Sequence, residues 1–436
     1  MNPGETSHEA QQPDASPPSQ PSAGVTPPSQ PSASQRENAP QRRGLSKNPL
    51  QLLLGFFSSL GLSILLLIFL GLLTYFGTMA QVEIGIHNAQ KRYFESLYLV
   101  EWIGGRIPLL LPGGYLVMTL LTINLIVGGV FRMRWNWRRL GVLIAHLGIA
   151  FLFVSALVKD LASHEGYLSL YEGEKAAHFQ SYTEYELAIT ERQADGSWKE
   201  QIIPEAQLKD LLGSKSRTFS SKDLPFSLTV SHWFENCRPT QSAKGHLLPA
   251  SDGEFALVPL PSEVKAERNI PGALLRIRDK ADKQERRELL FGLQDPVSLQ
   301  NWKPIYHESG GKAYAIELRQ RLFPLPFELE LEDFHHEFHP GTRMPKSIES
   351  YVFTREDGVQ EKHHIWMNHP LRKEGFVLFQ TNWGPKDDSK GPFWSVFSIV
   401  HNPSDQWPTI SCIIITLGLL LHYGVMLVRF IRREAQ

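Results

Sequence analysis

The stretch of residues 52–78, LLLGFFSSLGLSILLLIFLGLLTYFGT, decides the class of fold because it contains no charged residue. About 20 predominantly apolar residues suffice to span a hydrocarbon core about 30 Å thick. The sequence therefore predicts a first transmembrane helix here, and further apolar stretches predict helices over residues 108–131, 140–158 and 407–430. We predict an integral membrane protein with four transmembrane α-helices, three before and one after a long polar insert.

Clusters of basic residues flank the predicted helices. They are Arg42, Arg43 and Lys47 before the first helix, Arg132, Arg134, Arg138 and Arg139 between the second and third, and Arg429, Arg432 and Arg433 after the fourth. Because short loops rich in Lys and Arg remain in the cytoplasm, both termini are predicted to be cytoplasmic. This orientation predicts a multi-pass protein of the cell inner (plasma) membrane whose large insert is extracytoplasmic, on the periplasmic side.

The insert, residues 159–406, has a different sequence pattern from the helices. Its short segments alternate apolar and polar residues, as in Tyr167-Leu-Ser-Leu-Tyr171, Phe226-Ser-Leu-Thr-Val230, Phe327-Glu-Leu-Glu-Leu331 and Gly375-Phe-Val-Leu-Phe-Gln380. Alternation with period two is typical of antiparallel strands with one buried face. The insert is therefore predicted to be an antiparallel β-rich domain, either a sandwich or a partly open barrel. The more polar residues 190–220 and 262–290 are predicted to be exposed excursions.

The remaining segments are assigned by composition. Residues 1–48 are dominated by Pro, Ser, Gln, Ala and Glu, which cannot bury enough apolar surface to offset the entropy of ordering, so a disordered cytoplasmic tail is predicted. Residues 49–158 form the three-helix membrane region, in which residues 87–101 are predicted to be a helix along the membrane surface. Residues 431–436 are predicted to be a short cytoplasmic tail.

Several functional classes are disfavoured by the sequence. The net charge of -1 gives no electrostatic footprint for nucleic acid. The two cysteines, Cys237 and Cys412, form no Cys-x-x-Cys pair for zinc, haem attachment or thiol exchange. No nucleophile elbow, phosphate-binding Gly loop or His-Glu-x-x-His motif occurs.

Two histidines inside predicted helices are the main candidates for a functional site. His146 lies seven residues after Arg139, and His422 lies seven residues before Arg429. At about 1.5 Å per residue, each imidazole would lie roughly 10 Å from the cytoplasmic end of its helix. An ionisable side chain at such a depth is costly and marks a functional candidate. A neutral imidazole there can ligate iron, although a hydrogen bond to a neighbouring helix is the alternative explanation.

A second group of histidines lies in the external domain. It comprises His335, His336, His339, His363, His364 and His369. Close spacing of histidines can suit a transition metal. However, no Cys or carboxylate pattern completes a site, and strand alternation would send His335 and His336 to opposite faces. Solvated histidines at strand ends are therefore the favoured interpretation.

Three groups of segments carry a resemblance to a known family. They are Leu70 to Gln81; His146-Leu-Gly148 with Glu165-Gly166-Tyr167 and Glu172-Gly-Glu174; and Phe327-Glu-Leu-Glu-Leu-Glu-Asp-Phe334 with Ile348 to Val352, Met367-Asn-His-Pro-Leu-Arg372 and Gly375 to Gln380. With Asn402-Pro403 before the last helix and the three-plus-one layout, they resemble the ResB family, also called CcsB, of cytochrome c biogenesis proteins. The resemblance extends over about residues 50–433.

This resemblance implies a subunit of the System II cytochrome c synthetase, paired with a CcsA-type (ResC) membrane protein. That machinery moves haem across the membrane and presents it to the Cys-x-x-Cys-His motif of apocytochrome c. Family members carry a transmembrane histidine regarded as an axial haem ligand, and His146 in its His-Leu-Gly context has that position. His422 is supported by depth and by a Leu-His pattern. The Trp-rich motif of the partner does not occur here, which implies a non-catalytic subunit.

Another class of function stays open from the sequence. A non-catalytic membrane sensor or envelope assembly factor would use the external domain to bind a protein. A transport permease is disfavoured because one isolated helix after the domain leaves few helices to enclose a pathway. Haem absorption by the purified complex would separate these alternatives.

Overall fold

The computed structural model describes residues 48–103, 106–133, 136–193, 195–241, 255–281, 283–292, 304–342, 344–385 and 392–436. The predicted disordered tail, apart from Asn48, lies outside the described residues, as does Arg134 of the basic turn. By its contacts the chain divides into two units, Met1–Gln51 and Leu52–Gln436. Residues 48–51 of the first unit are described and include the start of the first helix. The description below concerns the second unit.

Four helices are long and apolar enough to cross a bilayer. The helices of the described residues are α1 (Pro49–Phe57), α2 (Leu60–Ala89), α3 (Gly114–Asn124), α4 (Leu140–Ala162) and α5 (Trp407–Glu434), with π-helical turns at Gln90–Phe94 and Leu125–Phe131 and 3-10 turns at Trp137–Arg139, Glu205–Gln207 and Ala266–Arg268. The candidate spans are Leu60–Phe94, Gly114–Phe131, Trp137–Ala162 and Trp407–Glu434. The predicted arrangement of three helices before and one after the β-rich domain is confirmed.

The first apolar stretch, predicted as one helix over 52–78, is broken after Phe57. The break is held by Asn124, a buried residue of α3. Its side-chain nitrogen donates to the carbonyls of Phe57, at 2.8 Å, and Ser59, at 3.1 Å, and its oxygen accepts from Ser63 at 2.6 Å. Unpaired carbonyls cost several kcal/mol in hydrocarbon. Asn124 therefore makes a helix break tolerable where apolar composition predicts continuity.

The second predicted helix, 108–131, begins at Gly114 because the preceding residues form strands. Tyr98–Ile103 (β1) and Ile107–Pro112 (β2) pair as an antiparallel hairpin. The surface helix predicted over 87–101 therefore extends only to Phe94, where the π-helical turn ends. Helical spacing of apolar residues in this segment did not distinguish a helix end from the start of a hairpin.

The first helix also extends past its predicted end and reaches the β-rich domain between α4 and α5, which is called the external domain after its predicted location. It continues to Ala89 through a kink at Gly85, whose backbone has φ 79° and ψ 160°. A Cβ on Gly85 would lie 1.7 Å from the carbonyl oxygen of Val264. A side chain at this position is excluded both by the backbone conformation and by the contact with Val264.

The external domain consists of antiparallel strands. They are β3 (His164–Tyr171), β4 (Lys175–Arg192), β5 (Trp198–Pro204), β6 (Ser216–Ser220), β7 (Phe226–Phe234), β8 (Cys237–Gln241), β9 (Phe255–Pro259), β10 (Gly272–Asp279), β11 (Glu285–Phe291), β12 (Ile305–Ser309), β13 (Lys312–Phe338), β14 (Pro345–Glu356), β15 (Val359–Trp366), β16 (Leu371–Lys373), β17 (Phe376–Gly384) and β18 (Trp394–His401). The four alternating segments quoted from the sequence lie in β3, β7, β13 and β17. The predicted antiparallel β-rich domain is confirmed.

The strands form one large sheet and smaller ones. The large sheet has the order β15-β14-β13-β4-β3-β18-β17-β16, with β12 added to β13 and β5 added to β4. A four-stranded sheet has the order β11-β10-β7-β6, and β8 pairs with β9. Lys373 of β16 contacts Glu361 of β15 at 2.8 Å and Glu356 of β14 at 3.2 Å, so the two ends of the large sheet meet. This part of the domain is a partly open barrel.

Two strands run through both of the larger hydrophobic cores of the domain. The first core includes Leu187 and Ile316, and the second includes Phe179 and Leu329. Of these, Phe179 and Leu187 belong to β4, an 18-residue strand, whereas Ile316 and Leu329 belong to β13, a strand of 27 residues. The two lobes defined by these cores therefore share a pair of strands.

The polar segment 262–290, predicted as an exposed excursion, contributes to the first core. It contains β10, on which Ala273, Leu275 and Ile277 are buried. The charged residues Arg276 and Arg278 lie on the same strand and alternate with the buried ones. A high content of charged residues thus concealed a strand with one buried face, and the prediction for this segment is wrong.

Candidate functional site

The third membrane helix, α4, packs against the second, α3 with its π-helical extension, through residues spaced seven apart. Seven residues make nearly two turns, so they lie close to one face of a helix. These residues are His146, Phe153 and Asp160 on α4, and Tyr115, Thr122 and Gly129 on α3 and its π-helical extension. Gly129 contacts His146, and the Tyr115 hydroxyl donates to Asp160. These contacts form one antiparallel seam, the first seam, which runs from His146 to the ends of both helices nearest the β-rich domain.

The imidazole of His146 is half-buried in this seam and has a fixed orientation. Its Nδ1 lies 2.7 Å from the carbonyl oxygen of Val142, one turn earlier on α4. A carbonyl oxygen only accepts hydrogen bonds, so Nδ1 carries the proton. Nε2 of the neutral ring then has a free lone pair, which is the state that ligates a metal.

Gly129 provides the space for this ring. A Cβ at Gly129 would lie 2.5 Å from Cδ2 of His146. Gly129 belongs to the π-helical turn Leu125–Phe131, and such turns are frequent at functional sites. The sequence analysis did not identify Gly129, although its spacing of seven from Thr122 and Tyr115 was visible.

The other side of α4 packs tightly against α5. A Cβ on Gly418 would lie 2.6 Å from the backbone nitrogen of Ala145, and one on Gly148 would lie 2.7 Å from Cγ1 of Ile415. At the outer end, Ser404 donates to the carbonyl of Ser155 at 3.0 Å. Small residues let helix backbones approach closely in a membrane. The two helices run antiparallel because later residues of α4 contact earlier residues of α5.

His422 lies at the end of this second seam that is farther from the β-rich domain. A Cβ on Gly141 would lie 2.5 Å from the backbone nitrogen of His422. The Nδ1 atom of His422 is buried and has no hydrogen-bond partner among the residues that the structure describes. A buried polar atom without a partner costs free energy, so it indicates a missing partner or ligand. The donor chemistry of an imidazole fits a haem iron.

The two candidate histidines contact different faces of α4. His146 faces the second helix, whereas His422 lies against Gly141, five residues earlier on α4. Five residues correspond to about 140° around the helix and about 7.5 Å along it. Side chains lean toward the N-terminus of their own helix, and the antiparallel arrangement therefore brings the two rings closer in depth. No direct contact between the two rings is found in this structure.

The external histidines do not form a metal site. No group of three or more His, Cys, Asp or Glu side chains in the described residues is arranged to hold a metal ion. His335 and His336 point to opposite faces, as the alternation predicted. His335 contacts Asp333 at 2.9 Å, and His336 stacks on the buried Trp383 with ring centroids 4.4 Å apart.

Three of the external aromatic contacts instead form a ladder along β14 and β15. Tyr351 stacks on His364 at 4.4 Å, His364 on Trp366 at 4.2 Å, and Trp366 on His369 at 4.1 Å. Nε2 of His364 also lies 2.9 Å from a carboxylate oxygen of Glu349. Hydrogen bonds from Ser347, and then from His364, lower the pKa of Glu349. Pattern analysis identified these histidines but not the Tyr and Trp rings between them.

A further pair of histidines lies where the domain meets its helices. His164 begins β3 just after α4, and His401 ends β18 just before α5. They are direct partners across the two strands, with ring centroids 6.4 Å apart. Burial, and then the nearby His164, lowers the pKa of His401. The sequence gives no local sign of this pair because its members are far apart in the chain.

Comparison with known proteins gives matches over part of the chain. Residues 308–393 match the family model of the ResB-like family. Protein NrfI of Wolinella succinogenes is 30% identical over 99 residues, which are 22% of this chain and 10% of that protein. The chain therefore spans about a tenth of the length of the curated relative it matches.

The fold defines a protein with four candidate membrane helices and a large antiparallel β-rich domain. Over residues 308–393 the chain is similar to the ResB-like family, as the resemblance in its sequence predicted. The matched residues, 308–393, include all of β13 to β17, and therefore the whole aromatic ladder.

Proposed function

We propose that this protein is the non-catalytic subunit of a System II cytochrome c synthetase. In this role it pairs with a CcsA-type membrane protein and handles haem across the membrane for attachment to apocytochrome c. The proposed location is the inner membrane, with both termini cytoplasmic and the β-rich domain periplasmic. The described arginines Arg132, Arg138 and Arg139 support this orientation because they lie at the helix ends opposite the domain.

One observation carries the proposal: the 2.7 Å contact between Nδ1 of His146 and the carbonyl oxygen of Val142. With its Nδ1 proton directed at Val142, the ring presents Nε2 within the seam between the second and third helices. A histidine that ligates a metal commonly donates its other ring nitrogen to a carbonyl, which fixes the ring and raises its basicity. His146 would hold a bound haem through Nε2, and the haem would supply the iron centre.

His422 is proposed as a second ligand on a different basis. Its Nδ1 is buried without a partner among the described residues, and a ligand or a partner subunit would satisfy it. Because His422 and His146 contact different faces of α4, they need not serve one iron at the same time. Successive ligation at two positions is consistent with both sets of contacts.

The external domain is proposed to present the aromatic ladder to apocytochrome c. Tyr351, His364 and Trp366 provide stacked rings, and Glu349 beside them provides a negative charge. Aromatic residues are enriched at protein interfaces because they contribute large contact areas at low entropic cost. The ladder lies in the region that matches the family model.

The proposal is tested by co-expressing the chain with its CcsA-type partner and recording the haem absorption of the purified complex. We expect His146→Gly to lose the low-spin haem spectrum and imidazole in the buffer to restore it. His178→Gly provides a matched control, since it removes an exposed imidazole of β4 that lies outside the aromatic ladder. A wild-type complex without haem, or normal cytochrome c maturation with His146→Gly, would refute the haem assignment.

A further inference from the structure

A cavity in the outer half of the membrane region has no part in the proposed function. It has a volume of about 450 Å³ and lies between α2, α3 and α4. Its apolar wall includes Leu70, Met118, Phe153 and Leu157. Phe153 lies on the same face of α4 as His146, seven residues farther from the basic turn. The cavity therefore lies along the first seam, outward of His146.

The outer rim of this cavity is polar and acidic. It includes Gln90, Glu95, Tyr115 and Asp160. Tyr115 donates to Oδ2 of Asp160, and Gln90 donates to Oε1 of Glu95 at 2.8 Å. A carboxylate has two oxygens and about four acceptor positions. Both carboxylates therefore have acceptor capacity left for a ligand.

The composition of the lining restricts the chemistry of the ligand. None of the described lining residues is Lys, Arg or His, so a phosphate or a propionate would meet carboxylates without a compensating cation. An acyl chain would fill the apolar part but has no group to pair with Glu95 or Asp160. A neutral head group that donates hydrogen bonds, attached to an apolar tail, satisfies both parts of the cavity.

We propose that this cavity binds a lipid-soluble quinol. The hydroxyls of the quinol ring would donate to Asp160 and Glu95, and bonds to ionised acceptors are about twice as strong as those between neutral groups. The ring would lie beside Phe94 and Tyr115, and the tail would extend along Phe153 toward the middle of the bilayer. This site is separate from the proposed haem ligands and is testable without haem.

The test uses the full-length, haem-free protein in phosphatidylcholine nanodiscs, with decyl-ubiquinol and decyl-ubiquinone as probes. The oxidised probe has the same tail but no hydroxyl donors on its ring. We expect the quinol to bind about tenfold more tightly than the quinone, the factor that one hydrogen bond to a charged group supplies. Asp160→Asn combined with Glu95→Gln should abolish this preference.

Two further variants keep the test decisive. Glu83→Gln removes an exposed carboxylate of α2 that does not line the cavity, and it should retain the preference for quinol. Ala156→Trp fills the cavity from α4 and should abolish binding of both probes. Equal binding of quinol, quinone and decylbenzene would show an acyl-chain groove and overturn the proposal. Binding that survives Ala156→Trp would also overturn it.

Discussion

At the scale of single residues, the contact between Gly129 and His146 gives a direct prediction. Gly129→Ala places a methyl group 2.5 Å from Cδ2 of the imidazole, so the ring has to move off the second helix. We expect a loss of about 1–3 kcal/mol in the free energy of unfolding, as for other overpacked sites. Thermal unfolding in detergent measures this loss of stability.

Gly71→Ala is the matched control for this change. Gly71 also lies in an apolar helix, but a Cβ there meets nothing within 4 Å. We expect Gly71→Ala to be neutral or slightly stabilising, because Ala has the higher helix propensity. Equal effects of the two substitutions would contradict the packing of His146 on Gly129.

His401 provides a prediction about pH. Its pKa in the folded protein is lowered from 6.5 by burial and then by His164. The unfolded chain therefore binds more protons than the folded protein as pH falls below 6.5, and folding stability falls with it. We expect His401→Gln to lessen the fall in melting temperature as the pH is lowered through 6.5 and below.

The comparison for this prediction is His369→Gln, which changes an exposed histidine of the same domain. His369→Gln should leave the acid-induced decrease in melting temperature unchanged. An identical pH profile for wild type and His401→Gln would show that the pair of His164 and His401 does not contribute to acid sensitivity.

The residues that the sequence identified were those whose chemistry is unusual for their location. His146 and His422 were visible because an ionisable side chain in an apolar helix is costly. Gly129 could not be identified from the sequence, since glycine is common in membrane helices and its importance depends on which ring packs against it. His401 could not be identified either, because its partner His164 lies more than 200 residues away in the chain.

At the scale of secondary-structure elements, the kink at Gly85 joins the first helix to the external domain. Gly85→Ala would force a side chain into a conformation with φ 79° and into the carbonyl of Val264. We expect a destabilisation exceeding the 1–3 kcal/mol that backbone strain alone costs. Limited proteolysis between α2 and the domain, together with thermal unfolding, measures the effect.

Gly173→Ala separates the effect of backbone strain from the effect of the clash with Val264. Gly173 also has a positive φ of 81°, but a Cβ there meets nothing within 4 Å. This control therefore carries the backbone strain without the clash. If both substitutions destabilised the protein equally, the contact between Gly85 and Val264 would not contribute to stability.

The packing of α4 on α5 gives a second prediction at this scale. Gly418→Ala places a Cβ 2.6 Å from the backbone nitrogen of Ala145, which cannot move away as a flexible side chain can. We expect the helices to separate at this point, with a lower melting temperature. Gly424→Ala, on the same helix but with nothing within 4 Å of its Cβ, should leave the melting temperature unchanged.

The elements were predictable where a single physical signal dominated. Long apolar stretches gave the four helices, and strict alternation gave β3, β7, β13 and β17. The break after Phe57 was not predictable because it depends on Asn124 from another helix. The strand β10 was not predictable by composition because arginines on its exposed face outweigh the buried Leu275 and Ile277.

At the scale of the whole molecule, the predicted orientation has a simple test. We expect Asp357→Cys, in the turn between β14 and β15, to react with an impermeant maleimide in intact spheroplasts. Glu434→Cys, at the end of α5, should react only after the membrane is permeabilised. Both variants are made with Cys412 replaced, because it is exposed on α5, and with buried Cys237 retained. The reverse pattern of labelling would invert the proposed topology.

The strands shared by the two lobes determine how the external domain unfolds. Residues of β4 and β13 contribute to both of the larger hydrophobic cores. Each core therefore depends on two strands that also belong to the other lobe. The lobes therefore cannot unfold as independent domains. We expect one cooperative transition for the whole domain in denaturant, detected at the same midpoint by Trp233 fluorescence in one lobe and Trp383 fluorescence in the other. A lesion in either lobe then lowers the stability of both, including the lobe that carries the aromatic ladder.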